Sequence, residues 1–212
     1  MNSIDILFSG TRQDSFEGDV KTSVACNSSS VLVRGDEGAV IIDTGAVGYG
    51  DKLLAALKGL GVDPADIDVV VNTHSHQDHT YNNHLFPDAL VYTSTSVWHP
   101  HDGNKVVIYG DITKVPIPCI RLINTPGHML GHVSAVAESG GKRYVVAGDA
   151  IRESVIRSGI IPKKYADARA YLDSMLKVFE IADIIIPGHG NVIDGELLKE
   201  LADLAKKCRV GD

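Results

Sequence analysis

Three histidines and an aspartate fall within six residues at His74-Ser75-His76-Gln77-Asp78-His79, shortly after the apolar run Val69-Val70-Val71. Neither packing nor solubility calls for imidazole at that density. Imidazole is the commonest metal-binding side chain, and a neighbouring carboxylate extends the ligand set. A chain that carries this stretch must therefore fold so that a strand end presents it and other segments bring the remaining ligands.

Four further polar residues stand at one kind of place, a glycine-containing turn directly after an apolar run: Asp43, His128, Asp149 and His189. Rigid sheets place functional groups at such strand ends, where loops stay open to substrate. Glycine there lets the backbone turn tightly.

The pattern between these points predicts the elements. Strands are expected at Ile4–Phe8, Ser28–Arg34 and Ala39–Asp43, with a polar, turn-rich stretch from Ser9 to Thr22. Asp51 to Leu60 carries Leu53, Leu57 and Leu60 on one helical face, with Asp51 as the expected N-cap and Gly61 as the stop. Asp68–Asn72 lacks alternation, as a strand covered on both faces does. A short helix is expected over Asp78–Asn83, a strand over Ala89–Tyr92 and an irregular loop over Ser94–Asn104 with His99 and His101. Further strands are expected at Lys105–Ile108, Val115–Ile117, Cys119–Asn124, Val133–Ala137, Arg143–Ala147 and Asp183–Ile186. Helices are expected over Asp167–Ile181 and Gly195–Lys207. With no linker or internal repeat, residues 1–212 are expected to form one domain of two sheets with helices outside.

These motifs resemble the metallo-β-lactamase-fold superfamily of hydrolases, in its minimal single-domain branch. The resemblance rests on the His-x-His-x-Asp-His pattern of residues 74–79. Thr125-Pro126-Gly127-His128, Gly148-Asp149 and Pro187-Gly188-His189-Gly190 follow it in the family's order. It implies an αββα four-layer sandwich of two mixed β-sheets with helices on the outer faces. It also implies a two-metal site, with His74, His76 and His128 on one ion, Asp78, His79 and His189 on the other, and Asp149 bridging. Asp43 would lie behind the histidine loop and fix it through hydrogen bonds. Zinc is the expected metal, with iron or manganese as alternatives for nitrogen and oxygen donors. Two ions roughly 3.5–4 Å apart would generate a metal-bridging hydroxide, with Asp78 and Asp149 as the catalytic carboxylates. His132, four residues after His128, is expected to support the site; His84, His99 and His101 are expected to be solvated or packed. The loop bearing His99 and His101 is a candidate overhang, and Arg152 a candidate for meeting an anionic substrate.

The expected substrate is a small ester, thioester or lactone. Hydrolysis of a phosphodiester is the alternative, and a metal-binding or redox-sensing protein without turnover is a third reading. Nothing resembles the glutathione-gripping helical region of glyoxalase II, the clamp of the tRNA-processing nucleases or the flavodoxin domain of the di-iron flavoproteins. A formal charge of −7 weighs against nucleic acid and acidic membranes as partners. Three scattered cysteines, Cys26, Cys119 and Cys208, suggest neither a disulfide framework nor a thiolate metal site. With no apolar leader and no run long enough to span a bilayer, the expected location is cytoplasmic. A homo-oligomer is compatible with all of these features.

Overall fold

A computed structural model describes residues 2–17 and 20–211. The first half forms strands β1 (Ser3–Phe8), β2 (Thr11–Glu17), β3 (Val20–Asn27), β4 (Ser30–Gly35) and β5 (Gly38–Ile42). Helix α1 (Gly50–Gly59) and β6 (Val69–Val71) follow, then the single turn α2 (Gln77–Thr80). Strands β7 (Leu90–Tyr92), β8 (Ser96–His99) and β9 (Lys105–Ile108) complete this half. The second half holds β10 (Ile120–Asn124), β11 (Val133–Ser139), β12 (Lys142–Gly148), α3 (Glu153–Ser158) and β13 (Ile160–Ile161). It ends with α4 (Ala168–Ile181), β14 (Ile184–Pro187), α5 (Gly195–Ala205) and β15 (Arg209–Val210).

One sheet has the order β1-β4-β5-β6-β7-β8-β9 and the other β10-β11-β12-β14. Both are mixed: β5, β6 and β7 run parallel within the first, and β12 and β14 within the second. Strand alternation divides the apolar residues between two layers. Val31, Val33, Val40 and Ile42 meet Leu122, Val133, Ala135 and Val146 of the other sheet. Between them, Leu32, Ile41 and Val70 turn outward against Leu53 and Leu57 of α1. On the far side, Val136, Val145 and Ile185 pack against Tyr171, Met175 and Val178 of α4 and Leu201 of α5. Helix, sheet, sheet and helix therefore stack as four layers, each apolar face covered.

Several local expectations are corrected. The stretch from Ser9 to Thr22 contributes to an antiparallel ribbon, β2 with β3, rather than a turn-rich loop. Within Ser94–Asn104, residues 96–99 form β8, because Val97 is buried and pairs with Tyr92 and Val107. Val115–Ile117 is not a strand; a 3₁₀ turn at Ile112–Lys114 leads into a single bridge from Ile117 to Ile120. Asp51 lies inside the first turn of α1, where Tyr49 is the N-cap, so its carboxylate meets the helix dipole without capping. Among the described residues, no helix is long and apolar enough to cross a membrane.

Candidate metal centre

The parallel pairs β5/β6 and β12/β14 deliver their C-terminal ends to one rim of the sandwich. Asp43 follows β5, the histidine stretch follows β6, Asp149 follows β12 and His189 follows β14. His128 reaches the same rim from the connection between β10 and β11, which Gly127 bends into place. Gly127 has φ +132°, and a Cβ there would lie 2.2 Å from the Tyr171 backbone nitrogen, so only glycine fits.

All seven residues expected as ligands converge there, in three overlapping groups able to hold a metal: His74-His76-His128, His74-His79-Asp149 and Asp78-His79-His189. His76 Nδ1 lies 2.9 Å from His74 Nε2 and 3.2 Å from His128 Nε2. Asp149 is central. Its Oδ1 lies 3.5 Å from His79 Nε2 and 3.3 Å from His189 Nε2, while Oδ2 faces His128 Nε2 at 3.3 Å. Asp78 Oδ2 closes the circle, 3.4 Å from His189 Nε2.

Behind the site, Asp43 and the Asn27 carbonyl anchor two of the rings. Asp43 accepts from the Thr73 amide (2.8 Å) and the Thr73 hydroxyl (2.8 Å), and its Oδ2 lies 2.7 Å from His79 Nδ1. Asp43 has φ +54°, a strained conformation for a residue with a side chain, held by these three contacts. His189 Nδ1 sits 3.0 Å from the Asn27 carbonyl, which acts only as an acceptor, so Nδ1 carries the proton and Nε2 faces the site with its lone pair. His132 is buried, stacks on His74 at 5.0 Å and contacts Thr125 Oγ1 through Nδ1, so it stands behind the ligands rather than among them.

The front is not satisfied. Both Asp149 oxygens, Asp78 Oδ2, His79 Nε2 and His189 Nε2 are shut off from solvent without a hydrogen-bond partner. Orphans of this kind are costly unless something else pairs with them. Acceptor atoms that converge from several imidazoles and carboxylates, with their other atoms already anchored behind, suit a cation. The site residues thus fit a metal.

Charge follows the same geometry. Burial pushes His128 down to about 4 and drives His74 further down, so these two rings are neutral and ready to ligate; it also pushes His132, behind them, down to about 3. Burial also works against protonating His79, but Asp43 and Asp149 more than reverse it and raise it to about 10. Burial would raise Asp149, yet His79, His189 and His128 hold it well below the ordinary range.

The other histidines lie apart. Because β7 parallels β6, β8 runs back from the rim and carries His99 to the opposite end of the sheet. His101 pairs there with Asp88, which precedes β7, so this segment does not overhang the site. His84 is at the surface beside the Tyr81 carbonyl. Sequence reasoning missed Tyr165, whose ring lies edge-on to His128 at 5.1 Å, and the Arg12, Asp14 and Lys21 cluster of the ribbon.

A four-layer sandwich with histidine and aspartate side chains able to hold metal at one rim is the arrangement of the metallo-β-lactamase fold. Residues 24–102 match the metallo-beta-lactamase superfamily. The chain is 33% identical over 161 residues to the probable metallo-hydrolase MJ0296 of Methanocaldococcus jannaschii, covering 75% of this chain and 74% of that protein. It is 31% identical over 178 residues to human metallo-beta-lactamase domain-containing protein 1, covering 77% of this chain and 62% of that protein. A solved N-acyl homoserine lactone hydrolase, with its product bound at the catalytic metal center, shares the fold. Its TM-score is 0.64 at 20% identity, covering 99% of this chain and 96% of that one. The chain belongs to the metallo-beta-lactamase superfamily.

Proposed function

We propose that the chain is a dinuclear metal-dependent hydrolase of a small ester, thioester or lactone, with zinc as its metal. The observation that carries this reading is Asp149. Its two buried oxygens lack hydrogen-bond partners and face different histidines, Oδ2 toward His128 and Oδ1 toward His79 and His189. A carboxylate so divided suits a bridge between two cations. His74, His76 and His128 would hold one, and Asp78, His79 and His189 the other.

Bound there, the ions supply Lewis acidity, which polarises a carbonyl and lowers the pKa of water toward ~7. The chain's own residues do the rest. Asp43 keeps the proton of His79 on Nδ1, so that Nε2 points inward. Asp78 has two oxygens, one for ligation and one to accept a hydrogen bond from the attacking water. Burial of His74, His79 and Asp149 keeps the base of the site dry, so electrostatic interactions there are weakly screened. The lactone hydrolase that shares the fold supports an acyl substrate.

Phosphodiester hydrolysis is a second reading, favoured by the cations Arg12, Lys21 and Arg152 that line the cavity next to His189. Metal content by elemental analysis, then turnover of chromogenic esters, thioesters, lactones and bis-p-nitrophenyl phosphate, tests both. Turnover of the acyl substrates is expected. Activity on the phosphodiester alone would replace the first reading with the second, and full metal loading without turnover would favour a binding protein.

A further inference from the structure

The cavity of about 740 Å³ beside the metal centre is bounded by the β2–β3 ribbon, by the segment after Asp149 and by His189. Its polar lining is dominated by donors. Arg12, Lys21, Arg152 and Lys164 offer N–H groups and no acceptor. Tyr165 Oη is shut off from solvent without a hydrogen-bond partner. Glu153, an acid on this wall, already holds Arg157 at 2.7 Å.

Asp14 is the other acid, and three cations share it: Lys21 at 2.7 Å, Arg12 at 2.9 Å and Arg152 at 3.0 Å. Arg152 is only 7% exposed, and one of its Nη atoms donates to Asp14. A guanidinium has five N–H donors, and the bond to Asp14 uses one of them. A chain with a net charge of −7 has gathered cations at a cavity that opens onto His189. An adjoining cavity around His76 and Asp78 shares Arg12 but is otherwise lined by Cys26, Ala46, Val47, Gln77 and Tyr81.

We propose that this cavity is a subsite for an anionic group, a carboxylate or phosphate on the acyl part of the substrate, bound by Arg152, Arg12 and Lys21. The inference rests on the hydrolase reading above. It orients the substrate across the site, with the charged end on the His189 side and the other end toward Val47 and Tyr81. Arg–carboxylate and Arg–phosphate pairing explains why a guanidinium occupies a place three residues after Asp149, where burial without a partner is costly.

The test uses metal-loaded protein and three matched p-nitrophenyl esters: the glutarate half-ester, its neutral methyl-capped diester and the 4-phosphonobutyrate ester. The expected result is a kcat/KM that favours an anionic ester over the neutral one. Arg152→Gln and Lys21→Gln should each reduce that preference by about 10- to 100-fold, as the loss of a hydrogen bond to a charged group does. Lys21 lies on the ribbon, away from the metal ligands, so its variant reports even if Arg152→Gln fails to fold. The two anionic esters tell carboxylate from phosphate. Calorimetric titration with glutarate and with phenylphosphonate gives a readout without turnover, and binding of the preferred anion should weaken by the same factor in Lys21→Gln. No turnover of any ester, with binding still weakened in that variant, would overturn the hydrolase reading but uphold the anion subsite. An unchanged preference and unchanged anion binding in Lys21→Gln would overturn the subsite.

Discussion

Asp43→Asn changes one atom pair and tests the logic of the metal centre. Asparagine tolerates the φ of +54° at this position, so the backbone should stay in place. Its Oδ1 can still accept from the Thr73 amide, but an NH₂ then replaces the oxygen that faces His79 Nδ1 and Thr73 Oγ1. Thr73 can rotate its hydroxyl and accept instead. His79 cannot accept while Nδ1 carries a proton, and flipping the amide would aim its NH₂ at the fixed Thr73 N–H. The variant therefore loses one charge-assisted hydrogen bond, about 1.5–3 kcal/mol in the metal-free protein. That loss has a pH signature. His79 is raised from 6.5 to about 10 in the folded chain, so its contribution is full below about pH 6.5 and fades as pH rises toward 10. The gap between wild type and variant in urea unfolding should narrow over that window. With metal, His79 must present Nε2, and the asparagine favours the tautomer that protonates it. Metal affinity should fall about 10- to 100-fold, read by competition with a chromophoric chelator. Wild-type affinity together with an unchanged unfolding midpoint below pH 6.5 would refute the role of Asp43.

Three other outcomes follow from the same geometry. Asp149→Ala and His76→Ala should abolish turnover while far-UV circular dichroism stays native; retained turnover in either would remove the two-metal mechanism. Loading the metal-free protein at pH 7 should release at least one proton, from His79, with any from a metal-bound water added to it, since burial already keeps His74, His128 and His189 neutral; a value near zero, by calorimetry in buffers of different ionisation enthalpy, would refute this. Gly188→Ala would set a methyl 2.5 Å from Asp149 Oδ1 and 3.0 Å from His79 Cε1, and should lower bound metal to below half of wild type by elemental analysis; full loading would show that the turn yields.

Apart from His128 on the antiparallel β10–β11 connection, the site was legible because its residues sit where a parallel strand runs out. Val69 to Val71 read as buried by their continuity alone, and the histidine stretch follows them. Residues 143–147 before Asp149 and 183–186 before His189 carry the same signal. The ribbon β2–β3 was not legible because Thr11 to Ser15 is polar at every position, so no apolar alternation marks a strand there. Arg152 could not be placed for a related reason. Its burial depends on Asp14, 138 residues earlier, and no local pattern records such a pairing. The six-residue α3 went unseen because it is too short for a periodic apolar face.

What the sequence concealed and what it displayed belong to different parts of the molecule. Metal donors stand at the ends of buried strands, where Asp43 and Asn27 fix two of their rings from behind. The groups that would select a substrate stand on a ribbon outside both sheets and on the segment after Asp149. These two are joined by one carboxylate, Asp14, which holds Arg12, Lys21 and Arg152 within 3.0 Å. Substitution on the ribbon can therefore alter which molecule is held while leaving the imidazole–carboxylate frame intact. That division explains why the metal-ligating pattern could be read from the sequence, whereas the Asp14 contact that gathers the cations is visible only in three dimensions.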